Sequence, residues 1–270
     1  MDDTAPTGAL SSRILDHRTA ALAADAARLL AETRARRPRV HALTNAAAQA
    51  FTANLLLAAG AIPSLTIAAE EAGHFARRAD AVLVNLGTLD AERRAGIPVA
   101  VAAAREAGRP LVLDPVFVEA SPPRLAVARE LLAQGPAIVR LNPGELEALG
   151  GRAPTPETAA ALARADGLVV ALTGATDVVT DGVRSLRIGN GHPLMARVTA
   201  MGCAGSALVA AFAALEPDRV TAAAAALLVL GVAGEIAGAR AVGPGSFPAA
   251  YLDALDALCE ADLVSHARVS

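Results

Sequence analysis

Residues 81–114 read AVLVNLGTLDAERRAGIPVAVAAAREAGRPLVLD, and this stretch decides the fold class. A short apolar run, 81–86, is followed by a helical stretch, 97–107, which Gly108 ends, and then by a second apolar run, 111–114. Short apolar runs rich in β-branched residues, separated by helices, are typical of parallel strands that are covered on both faces. The stretch therefore predicts a strand–helix–strand unit.

The same alternation extends over most of the chain. Apart from that stretch, strands are predicted at residues 40–43, 137–140 and 168–172, and helices at 46–59, 204–215, 219–239 and 247–258. An Asp-Gly pair within residues 177–183 predicts a hairpin, which would add antiparallel strands to the sheet. We predict a single α/β domain over residues 13–270, with a mostly parallel central sheet flanked by helices. Residues 1–12 are predicted to be a flexible N-terminal extension.

The composition excludes several mechanisms. The chain has 270 residues and a formal charge of −3, from 24 basic and 27 acidic residues, and every basic residue is an arginine. Without lysine there is no Walker A lysine and no lysine for Schiff-base chemistry. The slightly acidic balance argues against a nucleic-acid partner. A hydrophobic content of 54% is enough for a sizeable core.

Cysteine usage and the apolar segments indicate the cellular context. Cys203 and Cys259 have no Cys or His neighbours at ligand spacing, so neither a disulfide framework nor a zinc site is predicted. Residues 1–13 lack the basic-then-apolar order of a signal peptide. The apolar run 220–234 is shorter than the roughly 20 residues that a membrane span needs. We therefore predict a cytoplasmic protein without a membrane partner.

Polar residues follow the predicted strands. In open α/β sheets, ligands bind beyond the carboxyl ends of the strands, so these residues are the first candidates for a site. They are Thr44 and Asn45, Asn85 with Gly87 and Thr88, Asp114, Asn142 with Glu145, and Thr173 with Gly174.

Residues 199–206 form a turn of small residues that leads into a helix. The free N–H groups and the positive end of the helix suit a phosphate or a developing alkoxide. Cys203 lies in the first turn, where a thiolate is favoured. The alternative is a buried cysteine that packs the start of a core helix.

Two carboxylates have both a structural and a functional interpretation. Asn142, Pro143 and Glu145 have the spacing of a capping box, which explains them without any ligand. Glu145 at a strand end, together with Asp114, also suits the water shell of Mg²⁺, which uses one or two carboxylates. For Asp114 the structural alternative is an Asp-Pro turn.

Arg140 ends an apolar strand, and its planar fork suits phosphate oxygens, although it also fits a solvated strand end. Thr173 offers a hydroxyl beside a glycine, and a simple strand-ending turn explains it about equally well. The histidines give no hydrolase triad, and His41 is predicted to lie in the core, whereas His74 and His192 are predicted at the surface or in turns.

Taken together, these segments resemble the hydroxyethylthiazole kinase family of the ribokinase-like group, from about Val40 to Leu258. The resemblance rests on 40–45 (VHALTN), 51–61 (FTANLLLAAGA), 85–89 (NLGTL), 113–116 (LDPV), 178–182 (VVTDG) and 243–247 (GPGSF).

The resemblance implies a ribokinase-like fold and phosphorylation of the hydroxyl of 4-methyl-5-(2-hydroxyethyl)thiazole for thiamine diphosphate synthesis, with ATP as co-substrate and Mg²⁺ as cofactor. It also implies a homotrimer whose active sites lie between subunits. The implied site residues are Cys203 and Gly202 for catalysis, Arg140, Thr173 and Asn142 for ATP, Leu65, Ala200 and Asn45 for the substrate, and Asp114 and Glu145 for the metal.

The sequence departs from the family pattern at several positions. Leu65 replaces a substrate-contacting methionine, and Ala200, Phe117, Glu119 and Leu141 replace glycines. The substitutions at Leu65 and Ala200 leave open a kinase for another small heteroaromatic alcohol. The substitutions near the expected nucleotide leave open a ligand-binding homologue with impaired catalysis.

Overall fold

The structure, a computed structural model, describes the backbone of residues 7–270 and the side chains of residues 17–270. Within that range the strands are β1 Arg39–Leu43, β2 Ile62–Ser64, β3 Ala81–Asn85, β4 Leu111–Asp114, β5 Ile138–Leu141, β6 Val169–Leu172, β7 Asp177–Thr180 and β8 Ser185–Ile188. The helices are α1 Thr7–Arg36, α2 Gln49–Ala58, α3 Ala69–Arg78, α4 Ala91–Glu106, α5 Pro122–Leu132, α6 Pro143–Gly150, α7 Pro156–Asp166, α8 Met201–Leu215, α9 Arg219–Arg240, α10 Phe247–Ala257 and α11 Glu260–His266. Short 3₁₀ turns cover Val118–Ala120 and Pro193–Arg197.

The strands form one sheet in the order β2-β1-β3-β4-β5-β6-β7-β8. Strands β1 to β6 are parallel, whereas β7 pairs antiparallel with both β6 and β8. The predicted fold class, a mostly parallel sheet with a few antiparallel strands, is therefore confirmed. Because the parallel strands all end at the same edge, their carboxyl ends bring distant parts of the sequence together.

Helices cover both faces of the sheet. Neighbouring strand residues such as Val82 and Leu83 point to opposite faces and belong to two separate apolar clusters. Helices α3 to α7 pack on the Val82 side, and α1, α2 and α8 to α11 pack on the Leu83 side. This burial on both faces explains why the strands are almost continuously apolar.

The predicted elements agree with the structure to within a few residues in most cases, and the larger differences have simple causes. Helix α4 begins at Ala91, six residues before the predicted start, because Asp90 caps it by accepting a hydrogen bond from Arg93 N. Strand β2 was not predicted, since it has three residues and contains Pro63. Residues 7–12 of the predicted extension lie at the start of α1, and residues 1–6 lie outside the described range. The boundary at residue 12 stays a prediction.

The apolar run 220–234 noted in the sequence lies within helix α9, which has 22 residues. By length and composition it is the one described helix that is apolar enough to cross a membrane, but 83% of its most apolar window is buried inside the protein. Its apolar surface packs against α8, α10 and α1, as expected of a central core helix.

Candidate active site

Buried polar side chains meet at the carboxyl ends of β1, β3 and β4, which are neighbours in the sheet. Asn45 Nδ2 donates a hydrogen bond to Asn85 Oδ1 at 3.0 Å, and Asn85 Nδ2 donates to Asp114 Oδ2 at 2.8 Å. All three side chains are buried. The structure therefore brings together three of the candidates that follow strands in the sequence, and their roles stay predictions.

Helix α8 begins at the same place and completes this polar chain. Asn45 Nδ2 also donates to Cys203 Sγ at 3.1 Å, and the Ser206 hydroxyl donates to Asp114 Oδ2 at 2.8 Å. The helix ladder of α8 starts with Ala204 N donating to Ala200 O at 2.8 Å. The amides of residues 201–203 therefore precede the ladder and are available for an anion, as the turn sequence predicts.

The environment of Cys203 does not favour a thiolate, contrary to the expectation from its place in the first turn of a helix. Burial, followed by the negative charge of Asp114, raises the pKa of the thiol to about 11. The hydrogen bonds from Asn85 and Asn45 and the charge of Arg140 oppose this rise without cancelling it. The thiol is therefore protonated at neutral pH and is a poor candidate for a general base.

Arg140 brings positive charge to this region. A Cβ atom on Gly202 would lie 3.1 Å from Nη1 of Arg140, so the glycine lets the guanidinium approach the start of α8 closely. The buried Nε of Arg140 has no hydrogen-bond partner among the described residues. An arginine fork beside free helix amides is an arrangement that suits phosphate oxygens.

Glu145 forms the capping box that its spacing predicts. Its carboxylate accepts a hydrogen bond from Asn142 N at 2.8 Å and another from Phe117 N at 3.0 Å, and Glu145 N donates to Asn142 Oδ1 at 2.9 Å. Burial and the charge of Asp114 raise the pKa of Glu145, while burial raises the pKa of Asp114. The structural interpretation of Asn142 and Glu145 is thus confirmed, and their ligand roles stay predictions.

A cavity of about 660 Å³ opens beside Arg140 and Gly202. It is also lined by Thr173, Gly174 and Asp177, and Thr173 Oγ1 donates to Leu141 O at 3.3 Å. Its apolar lining comes from Met195, Met201, Leu227, Leu230 and Tyr251. The cavity therefore combines a cationic group with apolar side chains, as a nucleotide requires.

The other predicted substrate residues, Ala200 and Leu65, have apolar side chains and are not part of the polar chain. Ala200 is the N-cap of α8 and has a left-handed backbone conformation, with φ of 72°. Leu65 follows β2 and packs, partly buried, against the core on the α2 side of the sheet. His41 is fully buried, as predicted, and stacks on Phe75 with ring centroids 5.7 Å apart.

Sequence reasoning missed several residues of the site. Ser206 follows Cys203 by one helical turn, and this spacing would have placed it on the same side of α8. Asp177 begins β7 and lines the cavity, where burial raises its pKa to about 6. Residues 189–193, 195 and 196, which include His192, also line the cavity, although no local sequence motif predicts a site there.

Known proteins are similar in sequence to this chain over most of its length. A family model described as "Hydroxyethylthiazole kinase family" matches residues 30–261. The hydroxyethylthiazole kinase of Granulibacter bethesdensis is 49% identical over 253 residues, which cover 89% of this chain and 92% of that protein. A probable hydroxyethylthiazole kinase of Agrobacterium fabrum is 47% identical, with 92% and 95% covered.

The chain belongs to the hydroxyethylthiazole kinase family. The family resemblance and the enzyme class inferred from the sequence are therefore confirmed.

Solved structures support the same assignment. The hydroxyethylthiazole kinase structure from Pyrococcus horikoshii superimposes with a TM-score of 0.87 at 39% identity, covering 91% of this chain and 98% of that one. The pyridoxal kinase of Staphylococcus aureus has a TM-score of 0.59 at 14% identity and covers 73% of this chain, which shows a shared fold alone.

Proposed function

We propose that this kinase transfers the γ-phosphoryl group of ATP to the hydroxyl of 4-methyl-5-(2-hydroxyethyl)thiazole and so supplies thiazole phosphate for thiamine diphosphate synthesis. The observation that carries the proposal is the position of α8. Met201 and Gly202 at its start line the cavity together with Arg140, while Cys203 joins the polar chain that starts at Asn45. The family of the chain and the names of its relatives support the choice of substrate.

The phosphates are assigned to the part of the cavity beside Arg140 and Gly202. Arg140 would bind phosphate oxygens with its fork, and the amides of residues 201–203 would stabilise charge on the transferred group. Thr173 would contact the nucleotide from the end of β6, and Asn142 would hold the start of α6 beside it. The base would lie against the apolar side chains that line the cavity.

The residues at the strand ends fit a magnesium ion. Among the described residues no group of three or more His, Cys, Asp or Glu is arranged to hold a metal by itself. Mg²⁺ does not need such a cage, because it keeps several waters and binds through one or two carboxylates and the substrate phosphates. Asp114 and Glu145 are buried carboxylates close enough for the charge of one to raise the pKa of the other, so a cation here would be stabilised. When bound, it would neutralise charge on the phosphates.

The acceptor alcohol is assigned to the side of α8 where Asn45 and Cys203 meet, with Leu65 and Ala200 as further contacts. The substrate oxygen forms a bond to the γ-phosphorus as the bond to the bridging oxygen of ATP breaks, and ADP leaves. The alcohol proton passes to the transferred phosphoryl group. Little base assistance is needed when the transition state is loose, so a protonated Cys203 is compatible with the reaction. Its role would be to shape the anion hole.

The test is direct phosphorylation of the thiazole with Mg-ATP, followed by ³¹P NMR and mass spectrometry of the product. Omission of the metal should stop the reaction. The variant Arg140→Gln should raise the KM for ATP by roughly 30-fold, the value of a lost charged hydrogen bond of about 2 kcal/mol. Arg187→Gln is the matched control, because it removes one positive charge from the exposed surface of β8.

Two outcomes would replace the proposal. Phosphorylation of another small heteroaromatic alcohol, such as a hydroxymethylpyrimidine, in place of the thiazole would assign a different kinase specificity. Calorimetric binding of the thiazole without any turnover would assign a ligand-binding role.

The assembly and location of the protein are further parts of the proposal. The family resemblance supports a homotrimer with active sites between subunits, and the composition supports a cytoplasmic enzyme. Light scattering on the purified protein should give three times the chain mass of 27.1 kDa. A monomeric mass at the concentration of the activity assay would contradict the trimer.

A further inference from the structure

One wall of the cavity is a segment without regular strand structure. Residues 189–196, here called the rim segment, follow β8, and all of them except Leu194 line the cavity. The segment lies directly on α9: a Cβ on Gly231 would be 2.7 Å from Cβ of Asn190, and one on Gly234 would collide with Met195. The segment therefore leaves no space between itself and the helix, and its position decides the shape of the cavity.

The side chain of Asn190 ties the rim segment to the last residues of the chain. Its Oδ1 accepts a hydrogen bond from Arg268 N at 2.8 Å. Its Nδ2 donates to His266 O at 2.7 Å and to Glu235 Oε1 at 3.1 Å. Asn190 is buried, so each of these bonds replaces contact with water. The amide thus holds three separate parts of the chain in one arrangement.

A charged pair reinforces this connection. Arg268 forms a salt bridge with Glu235, whose Oε1 also accepts a hydrogen bond from Gly191 N at 2.9 Å. The Arg268 guanidinium donates in addition to Gly189 O, at 2.7 Å from Nη2 and 3.2 Å from Nε. Both ends of the Gly189–Gly191 turn are therefore fixed by the same ion pair.

Residues 266–270, here called the bracing segment, are themselves anchored on the sheet. Val269 pairs with Ile188 of β8 in an antiparallel bridge, and both side chains are buried in the core. Arg187 N donates to Ser270 O at 2.8 Å, and Ser270 N donates to Arg187 O at 3.0 Å. The bracing segment therefore has a fixed position from which it can hold the rim segment.

We propose that Asn190, Glu235 and Arg268 are positioning residues for the nucleotide, and that the bracing segment keeps the rim segment in the shape that accepts the base. The inference rests on the proposed binding of ATP in this cavity. These residues hold the wall that the rim segment forms against Gly231 and Gly234 of α9, whereas Arg140 lies against Gly202 of α8. The base is assigned to the wall of the rim segment and the phosphates to Arg140. Loosening the rim segment lowers the fraction of protein that can accept the base, and the apparent affinity falls with that fraction.

The test compares two ligands in calorimetry: Mg-ATP, and Mg-tripolyphosphate, which has the phosphates without base or ribose. Asn190→Ala and Arg268→Gln should weaken Mg-ATP binding by roughly five- to tenfold and leave Mg-tripolyphosphate within about twofold. In the kinase assay the KM for ATP should rise, while kcat and the KM for the thiazole stay within about twofold. Arg184→Gln is the control, since its side chain is 54% exposed and ion-paired, as Arg268 is at 55%, but lies at the far end of β8.

The outcomes separate this inference from the proposed function. If the wild-type protein does not bind Mg-ATP, both fail. If it does, and the variants bind Mg-ATP as well as the wild type or lose both ligands equally, this inference alone is overturned. Should Asn190→Ala fail to fold, Arg268→Gln decides, because its side chain is half-exposed and its replacement leaves the core unchanged.

Discussion

Replacing Ala200 with glycine should stabilise the protein. Ala200 is the N-cap residue of α8, with φ of 72° and ψ of −11°, and its side chain makes no capping hydrogen bond. The Cβ of an L-residue is crowded in this left-handed conformation, whereas glycine adopts it freely. Since alanine has no polar side chain to lose, the substitution removes strain without removing an interaction of the cap.

The expected gain is the difference between two effects. The left-handed conformation costs a non-glycine residue about 1–2 kcal/mol. Glycine gives the unfolded chain additional freedom, which returns about 0.5–1 kcal/mol of that gain. The net stabilisation is therefore on the order of 0.5–1 kcal/mol. For a chain of this size it corresponds to a rise of roughly 1–3 °C in Tm.

Thermal and urea unfolding of Ala200→Gly and Ala102→Gly test this reasoning. Ala102 is exposed within α4, at an ordinary helical position, so the same substitution there should lower the stability by about 1 kcal/mol. The two variants should thus shift Tm in opposite directions. If Ala200→Gly lowers Tm as much as Ala102→Gly does, the turn before α8 stores no strain and the argument is refuted.

The remaining predictions concern single side chains around the site. Phe117 has φ of 57° and is 59% exposed, so Phe117→Gly should raise the urea midpoint; a lower midpoint would mean that the ring contributes more than the strain costs. Cys203→Ala should lower kcat about fivefold, the value of one lost hydrogen bond of about 1 kcal/mol, and leave thiazole binding and the pH–rate profile from pH 6 to 9 unchanged, since the thiol pKa is about 11. Wild-type turnover in this variant would exclude a chemical role for the thiol. The pKa of Asp177 is raised from 3.8 to about 6, so its contribution to the wild-type stability should fall as pH rises through that window. Asp177→Asn should remove this part of the fall and leave the parts due to Asp114 and Glu145, whose pKa values are also raised; a parallel pH dependence of the two proteins in urea unfolding would contradict this.

The fold was predictable wherever local pattern and tertiary position agree. The central strands are apolar runs because both faces of the sheet are covered, so β4 at Leu111–Asp114 has the bounds that the sequence predicts. Strand β2 is different: Ile62–Ser64 lies at the edge of the sheet, is half-buried and contains a proline, so it has no distinctive pattern. Its place follows from pairing with β1, which is a long-range property of the fold.

For the candidate site, the sequence indicates which polar residues follow the strands but not their protonation states. Asn45, Asn85 and Asp114 follow apolar runs, and the sheet topology then brings them together. The protonation state of Cys203 depends on burial by distant elements, which outweighs the local effect of the helix start. The rim segment carries no local signal either, because its position is set by contacts with α9 and with the bracing segment.

The charge balance at the strand ends indicates how a kinase without lysine holds a triphosphate. Asp114 and Glu145 are both buried, and burial raises the pKa of each, while the charge of Arg140 lowers both. A triphosphate placed beside these carboxylates adds several negative charges, more than a single guanidinium neutralises. The amides at the start of α8 contribute only partial positive charge. In the proposed reaction we therefore expect the nucleotide and a divalent cation to bind together, since the protein alone does not balance the charge of the carboxylates and the phosphates.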